Sequence, residues 1–138
     1  MSDKKFQLYG IGNGIMDVLV SIDEPSFSGL GFEKGGMTLV DANEQSALLN
    51  TYGQQGSTLC AGGSVANSTV AFRQLGGDTS FCCSLASDYF GNEYRSDFNS
   101  LGVPLDVANQ SSGVTGTCVV LVTPDSVSYT HLTLPTKA

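Results

Sequence analysis

The chain has 138 residues, of which 41% are hydrophobic, and this is enough for one ordinary domain with a buried core. Its formal net charge is −7, with only six Lys and Arg, which argues against a nucleic-acid or anionic-membrane surface. No segment is long and apolar enough to cross a membrane, and the first residues carry no apolar signal core. We therefore expect a cytoplasmic protein.

Strand-like and helix-like segments alternate with short connections, which is typical of an α/β fold. Four of the predicted strands are short and look like a small sheet added to the α/β core, which takes the other strands. The short ones lie near residues 16–22, 37–40, 57–60 and 103–107, and the others at 6–11, 78–85 and 117–122.

Three helices are predicted from apolar spacing and end signals. The first, from about residue 42 to 52, begins with Asp41 and Glu44 as a capping box. The last, residues 90–101, follows Ser87 and Asp88, which we interpret as a helix cap. Its predicted buried face comprises Phe90, Tyr94, Phe98 and Leu101.

The middle helix belongs to the most informative segment, Ala61–Gly77. Gly62 and Gly63 allow a ligand to approach the backbone, and Ser64 is the predicted N-cap. Gly76-Gly77 is the predicted helix stop. From spacing alone, an anion site, a neutral polar-ligand site and a plain tight turn are equally good interpretations of the two glycines. The predicted apolar face of this helix comprises Val65, Ala66, Thr69, Val70 and Phe72.

A second candidate site lies near the N-terminus. Gly10-Ile11-Gly12-Asn13-Gly14 follows a strand, but position 15 is Ile, so the dinucleotide-binding fingerprint fails and a structural turn is at least as good an interpretation. Asp17 lies within an apolar run, where a carboxylate has to be paired or functional. With the amide of Asn13 it suits recognition of a vicinal diol, and local turn capping is the alternative.

The four cysteines show neither metal-ligand spacing nor a disulfide framework. We predict all of them to be small buried side chains. They are Cys60, Cys82, Cys83 and Cys118.

The C-terminal residues 126–138 are predicted to be a foreign tail. Residues 127–136 resemble a translated sequencing-library adapter, so the native sequence is expected to stop near Asp125, in the middle of a domain. The sole histidine, His131, lies in this tail and is excluded from any catalytic proposal.

Several motifs together resemble the ribokinase-like (PfkB) family of carbohydrate and nucleoside kinases, over nearly all of residues 6–125. The Gly-Gly-Ser-x-Ala-Asn element following the Asn/Asp turn is the most specific of them. Within the family, the spacing of Asn13 and Asp17 and the setting of Cys118 look closest to the adenosine kinase-like branch. The motifs are Gly10–Asn13 with Asp17, Glu33–Asp41, Gly62–Asn67, Asp88–Gly91, Thr115–Cys118 and Val122–Asp125.

The resemblance implies a Rossmann-type α/β core, partial in residues 1–125, with a small β-sheet lid over the acceptor site. It implies transfer of the ATP γ-phosphoryl group to a primary hydroxyl of a nucleoside or sugar, with Mg²⁺ in the full-length protein. It also implies that Asn13 and Asp17 hold the sugar hydroxyls. Lid sheets of this family often form dimer contacts, so a homodimer is a further expectation. Lining the rest of the acceptor would be Gly62, Gly63, Asn67, Met37 and Cys118, the last two near the base or aglycone.

The family's catalytic Asp stands in a Gly-Ala-Gly-Asp-like motif that these 138 residues do not contain. The chain is therefore expected to hold the acceptor, to bind ATP and metal poorly, and to show no detectable kinase activity. Two alternatives stay open: a fragment of a sugar kinase of the ribokinase or fructokinase type, and a non-catalytic ligand-binding or dinucleotide-binding α/β domain.

Overall fold

The structure, a computed structural model, describes residues 5–53, 56–110, 113–125 and 128–133. These residues form eight strands and four helices. The strands are β1 (Leu8–Ile11), β2 (Ile15–Ser21), β3 (Met37–Leu39), β4 (Ser57–Gly62), β5 (Thr79–Ala86), β6 (Leu105–Gln110), β7 (Gly116–Val122) and β8 (Ser128–Thr133). The helices are α1 (Glu24–Gly29), α2 (Ala42–Tyr52), α3 (Ser64–Gln74) and α4 (Tyr89–Ser100).

A parallel sheet of order β1-β5-β6 forms the α/β core. The strand predicted near 103–107 is β6 and belongs here, so its assignment to the added sheet was wrong. The reason is the connection: α4 lies between β5 and β6 and supplies the long crossover that two parallel neighbours require.

The second sheet has the order β3-β8-β7-β2-β4 and is the lid. β2 lies inside it, antiparallel to β4 and parallel to β7. The run 117–122 is β7, so its assignment to the core sheet was also wrong. Only residues 111–115 lie between β6 and β7, too few for the crossover of a dozen or more residues that a parallel neighbour requires, so β7 cannot continue the parallel core sheet beside β6.

The lid sheet buries one face more completely than the other. Alternate residues of β2, Met16, Val18 and Val20, are at most 2% exposed, as the two-residue period of a strand requires. Val119 and Leu121 of β7 are fully buried against the same core. The intervening residues of β2, among them Asp17, therefore lie on the opposite, open face of the lid.

Helix α4 supplies the aromatic centre of the core. Tyr94 and Phe98 are fully buried, and their ring centroids lie 4.8 Å apart. Phe98 also stacks on Phe81 of β5 at 5.5 Å. Each such ring stabilises the fold by about 1.5–3 kcal/mol through burial. Leu101, predicted on this face, is 40% exposed because it is the C-cap residue beyond the last helical turn.

Both ends of α3 are shaped by glycine. Its N-cap is Gly63 at φ +111°, so the prediction of Ser64 as the cap was wrong; no side chain caps this end. At the other end Gly76 has φ +92°, and Gly77 N donates to Phe72 O, which confirms the predicted stop as a Schellman motif.

The buried face of α3 is narrower than predicted. Ala66 and Thr69 are fully buried, whereas Val65 is 38% exposed. A Cβ at Gly10 or Gly12 would clash with Thr69 or Val65, so these two glycines bring α3 close to β1. This packing is the role the structure shows for the Gly-rich turn.

The capping predictions for the other two helices are confirmed. Asp41 and Glu44 form the capping box at the start of α2. Asp88 is the N-cap of α4, and its Oδ1 accepts from Gly91 N at 2.8 Å.

Asp88 also ties α4 to the start of the lid strand β7. Its Oδ2 accepts from Thr115 N at 2.8 Å, and Thr115 Oγ1 donates to Asp88 Oδ1 at 2.6 Å. Thr115 Oγ1 in turn accepts from Ala86 N at 3.1 Å. Burial acts to raise the pKa of Asp88, but these hydrogen bonds outweigh it and hold the pKa below its usual value. One carboxylate thus joins β5, α4 and β7.

Replacing this carboxylate should destabilise the chain. Asp88→Ala removes a helix cap and leaves Thr115 N without its acceptor, so we expect the free energy of unfolding to fall by about 2 kcal/mol in urea denaturation. The pKa of Asp88 is lower in the folded chain than in the unfolded chain. Its contribution to the free energy of unfolding is therefore complete above the ordinary carboxyl pKa of about 4, and it is lost as the pH falls through the lowered pKa of the folded chain.

The matched control is Asp78→Ala. Asp78 makes an exposed ion pair with Arg73 at 3.3 Å, and such pairs contribute about 0–1 kcal/mol. Equal losses in the two variants, or a loss for Asp88→Ala that does not shrink in acid, would contradict the assigned role.

Candidate acceptor site on the open face of the lid

Asp17 lies in the middle of the open lid face, half-buried, with a cysteine in register on each side. Its partner on β7 is Cys118 and its partner on β4 is Cys60. Residues in register across a sheet share a face, so the row Cys60–Asp17–Cys118 forms a thiol–carboxylate–thiol strip.

Burial raises the pKa of Asp17 above its ordinary value, and a hydrogen bond from the Cys118 thiol partly offsets this by favouring the anion. The same arrangement raises the pKa of Cys118 to about 12, through burial and through the neighbouring carboxylate. Cys118 is therefore a protonated donor at neutral pH, and its S–H orients one side of the Asp17 carboxylate.

Gly62 forms the wall against which the carboxylate lies. A Cβ at position 62 would collide with Asp17 Oδ2. Gly62 itself is buried at the end of β4, in register with Ile15. A larger residue here would therefore displace the Asp17 carboxylate, which sequence spacing alone does not reveal.

Gly63 and Asn13 meet at the same place. A Cβ at Gly63 would collide with the backbone carbonyl oxygen of Asn13, and Gly63 has a positive φ that other residues rarely adopt. Asn13 is exposed in the turn between β1 and β2. Asn67 lies one turn into α3, also exposed, and its N–H donates to Gly63 O at 2.8 Å. The structure thus brings Gly62 beside Asp17, and Gly63, the next residue, against the Asn13 carbonyl, with Asn67 one helical turn beyond Gly63.

Met37 is not part of this group. It lies on β3, separated from β2 by β8 and β7, which is about 14 Å across the sheet at ordinary strand spacing. Met37 is in register with Thr130, Val120 and, on β2, Leu19. Leu19 is two residues from Asp17, so Met37 lies in the neighbouring cross-strand row of the same face. The row of Asp17 and Cys118 leads instead to Leu39, which is 69% exposed.

Cys60 is a site neighbour that sequence reasoning missed, because it was predicted to be buried. Cys83 and Cys118 are buried as predicted, but Cys60 is exposed and Cys82 intermediate. The outer position of β4 in the lid explains the exposure of Cys60. The antiparallel pairing of β4 with β2 would have placed Cys60 beside Asp17. Sequence reasoning did not reveal this pairing, because α1, β3 and α2 separate the two strands in the chain.

The open lid face is distinct from the larger cavity near the core sheet. A cavity of about 630 Å³ lies between α4 and β6 and is lined by Arg95, Asn99 and Leu105 among others. It is on the other sheet from Asp17, so cavity size does not locate the carboxylate site. Within the described ranges, no group of three or more His, Cys, Asp or Glu residues is placed to hold a metal ion, and no helix is long and apolar enough to span a membrane.

The fold and this site together define an α/β domain whose lid sheet presents a half-buried carboxylate beside a glycine wall. A family model described as pfkB family carbohydrate kinase matches residues 37–135. Because this match extends over more than half of the chain, the chain belongs to the pfkB family of carbohydrate kinases. No curated protein sequence matches the chain significantly.

Solved structures share the fold. Adenosine kinase from Sinorhizobium meliloti has a TM-score of 0.76 and 26% identity, over 94% of this chain and 40% of that one. A probable sugar kinase from Rhizobium etli CFN 42 has a TM-score of 0.76 and 24% identity, over 93% and 39%. Anopheles gambiae adenosine kinase, in complex with P1,P4-di(adenosine-5) tetraphosphate, has a TM-score of 0.78 and 23% identity, over 96% and 40%.

The chain thus spans about 40% of the length of these solved relatives. The likeness confirms the ribokinase-like α/β core with its lid.

A matched pair of Gly→Ala substitutions tests the wall. Gly62→Ala should lower the free energy of unfolding by about 1–3 kcal/mol, because the new methyl group overlaps Asp17 Oδ2. Gly53→Ala should be neutral or stabilise by about 0.5 kcal/mol, because Gly53 has φ −68° and a Cβ there meets Leu49 at 3.7 Å. Urea denaturation of both variants measures the difference, and equal effects at the two positions would refute the close contact.

Proposed function

We propose that this chain forms the acceptor-binding part of an ATP-dependent kinase that phosphorylates a primary hydroxyl of an adenosine-like nucleoside. The observation that carries the proposal is the Asp17 carboxylate, held half-buried against Gly62 and oriented by the Cys118 thiol. The family supports the reaction class, and the acceptor is the inference from the site.

The chemistry of a sugar diol fits this carboxylate. Its two oxygens accept hydrogen bonds from two neighbouring hydroxyl groups, and partial burial makes these bonds stronger than they are in open water. The amides of Asn13 and Asn67 both donate and accept, which suits the remaining polar atoms of a sugar. Gly62 and Gly63 make room for the Asp17 carboxylate and the Asn13 carbonyl, beside which the sugar ring would lie.

Apolar surface beside Asp17 favours a nucleoside over a free sugar. Leu19 follows Asp17 by two residues on β2, on the same face of the sheet, and is 37% exposed. An aromatic base bound over this strip would cover apolar surface, as small-molecule sites generally do. A free pentose or hexose is too small to gain from it. Met37, one row away and 65% exposed, would lie at the margin of the base.

ATP and Mg²⁺ belong to the complete protein in this proposal. The catalytic Asp expected from the family motif is not among these 138 residues, and the role of the present residues is to bind and orient the acceptor. The localisation in the cytoplasm stays a prediction. So does a homodimer through the lid, for which sedimentation of the purified chain is the test.

Titration of the isotope-labelled chain with adenosine, ribose and fructose, followed by amide chemical shifts, tests the acceptor. We expect adenosine to shift the amide signals of Asp17, Gly62, Gly63 and Asn67 at the lowest concentration. Asp17→Asn should weaken this binding about tenfold or more, because a charged acceptor is lost at a partly buried site.

The control is Asp78→Asn, an exposed Asp remote from β2, which should leave the affinity unchanged. Tighter binding of ribose or fructose than of adenosine would favour the sugar kinase alternative. A nicotinamide dinucleotide that binds where all three fail would favour the dinucleotide-binding alternative.

We further propose that the purified chain transfers no phosphoryl group. With ATP, Mg²⁺ and adenosine, AMP formation should stay at the level of a protein-free control, since positioning of the acceptor alone does not stabilise the charge that develops on the phosphates. AMP formed in proportion to the chain, and abolished in Asp17→Asn, would overturn this proposal.

The foreign origin of residues 126–138 is likewise a proposal. Ser128–Thr133 forms β8 and pairs with β7 and β3. An open strand edge pairs with any segment of suitable β propensity, so this pairing is compatible with a foreign segment. Sequencing of the uninterrupted gene past the codon for Asp125 tests the proposal, and the same residues encoded there would refute it.

A further inference from the structure

Two side chains of α4 bind the backbone of the glycine wall. The Tyr94 hydroxyl donates to Gly62 O at 2.9 Å, and Asp97 Oδ2 accepts from Ala61 N at 3.1 Å. Tyr94 and Asp97 are three residues apart and therefore lie on the same face of the helix. Two consecutive residues of β4 are thus held by one turn of α4.

The position of this contact matters because β4 is an outer strand of the lid. Its inner side pairs with β2, and its other side has no neighbouring strand among the described elements. Asp97 accepts the hydrogen bond from Ala61 N that a backbone carbonyl of a further strand would otherwise accept. The end of β4 is therefore fixed to the core by side chains.

The helix that makes the contact is itself rigidly placed. Tyr94 is fully buried and stacks on Phe98, which stacks on Phe81 of the core sheet. Burial raises the pKa of the Tyr94 hydroxyl, and the nearby Cys83, Asp17 and Asp97 raise it further. The hydroxyl is therefore protonated at neutral pH and can donate to Gly62 O.

We propose that Tyr94 and Asp97 are positioning residues of the acceptor site. Their hydrogen bonds fix the backbone of Ala61 and Gly62 where the Asp17 carboxylate can lie against Gly62. The inference rests on the proposed function for the identity of the ligand, and on the two hydrogen bonds for the positioning. A shift of Gly62 by a fraction of an ångström either presses on Asp17 Oδ2 or opens a gap beside it.

Each hydrogen bond has a variant that removes it and a variant that controls for the change. Tyr94→Phe keeps the stacked ring and removes only the hydroxyl. Its control is Tyr89→Phe, the same change on the same helix at a side chain that is 63% exposed. Asp97→Ala removes the acceptor for Ala61 N, whereas Asp97→Asn keeps an acceptor oxygen and should rescue the contact.

Two measurements on the full chain separate positioning from ligand choice. Amide hydrogen exchange at Ala61, without ligand, should be about three- to tenfold faster in Asp97→Ala and unchanged in Asp97→Asn. The dissociation constant for adenosine should rise about three- to tenfold in Tyr94→Phe and in Asp97→Ala, and stay unchanged in Tyr89→Phe and Asp97→Asn.

Unchanged exchange at Ala61 in Asp97→Ala would overturn the inference, because the hydrogen bond would not hold the strand. Faster exchange with an unchanged adenosine affinity would overturn it as well, because the wall would not depend on the contact. If the unmodified chain binds no adenosine, ribose or fructose, the proposed function fails. The exchange comparison at Ala61 then supports or refutes the α4 contact by itself.

Discussion

The close contact between the Asp17 carboxylate and Gly62 is the constraint on which the site depends. A carboxylate on a mostly apolar strand is costly to bury unless it is hydrogen-bonded. Here one side of it meets a backbone without a Cβ, and the other receives the Cys118 thiol. What remains exposed is a set of acceptor lone pairs directed at the open face of the lid.

The two sheets can hold this contact because α4 joins them. Its N-terminus is tied through Asp88 to Thr115 at the start of β7, and its middle holds β4 through Tyr94 and Asp97. The strands on either side of β2 are therefore both fixed to the same helix. The position of the open lid face is therefore set by α4 and the core it belongs to.

Local features could be predicted from the sequence, because they depend on neighbouring residues. The Asp41 capping box, the Asp88 cap and the Gly76 stop are all confirmed. Sheet membership of β6 and β7 was predicted wrongly, because strand pairing depends on what connects the strands as much as on composition. Met37 and Leu39 show the same limit, since only the register reveals which of them shares the row of Asp17.

Isotope-filtered nuclear Overhauser spectroscopy of the labelled chain with unlabelled adenosine tests whether Asp17 and Gly62 hold the sugar hydroxyls. We expect contacts between the ribose protons that flank the two neighbouring hydroxyls and the β-protons of Asp17, together with the α-protons of Gly62. Ribose contacts confined to the cavity of Arg95 and Leu105 between α4 and β6, with none to Asp17, would contradict this expectation.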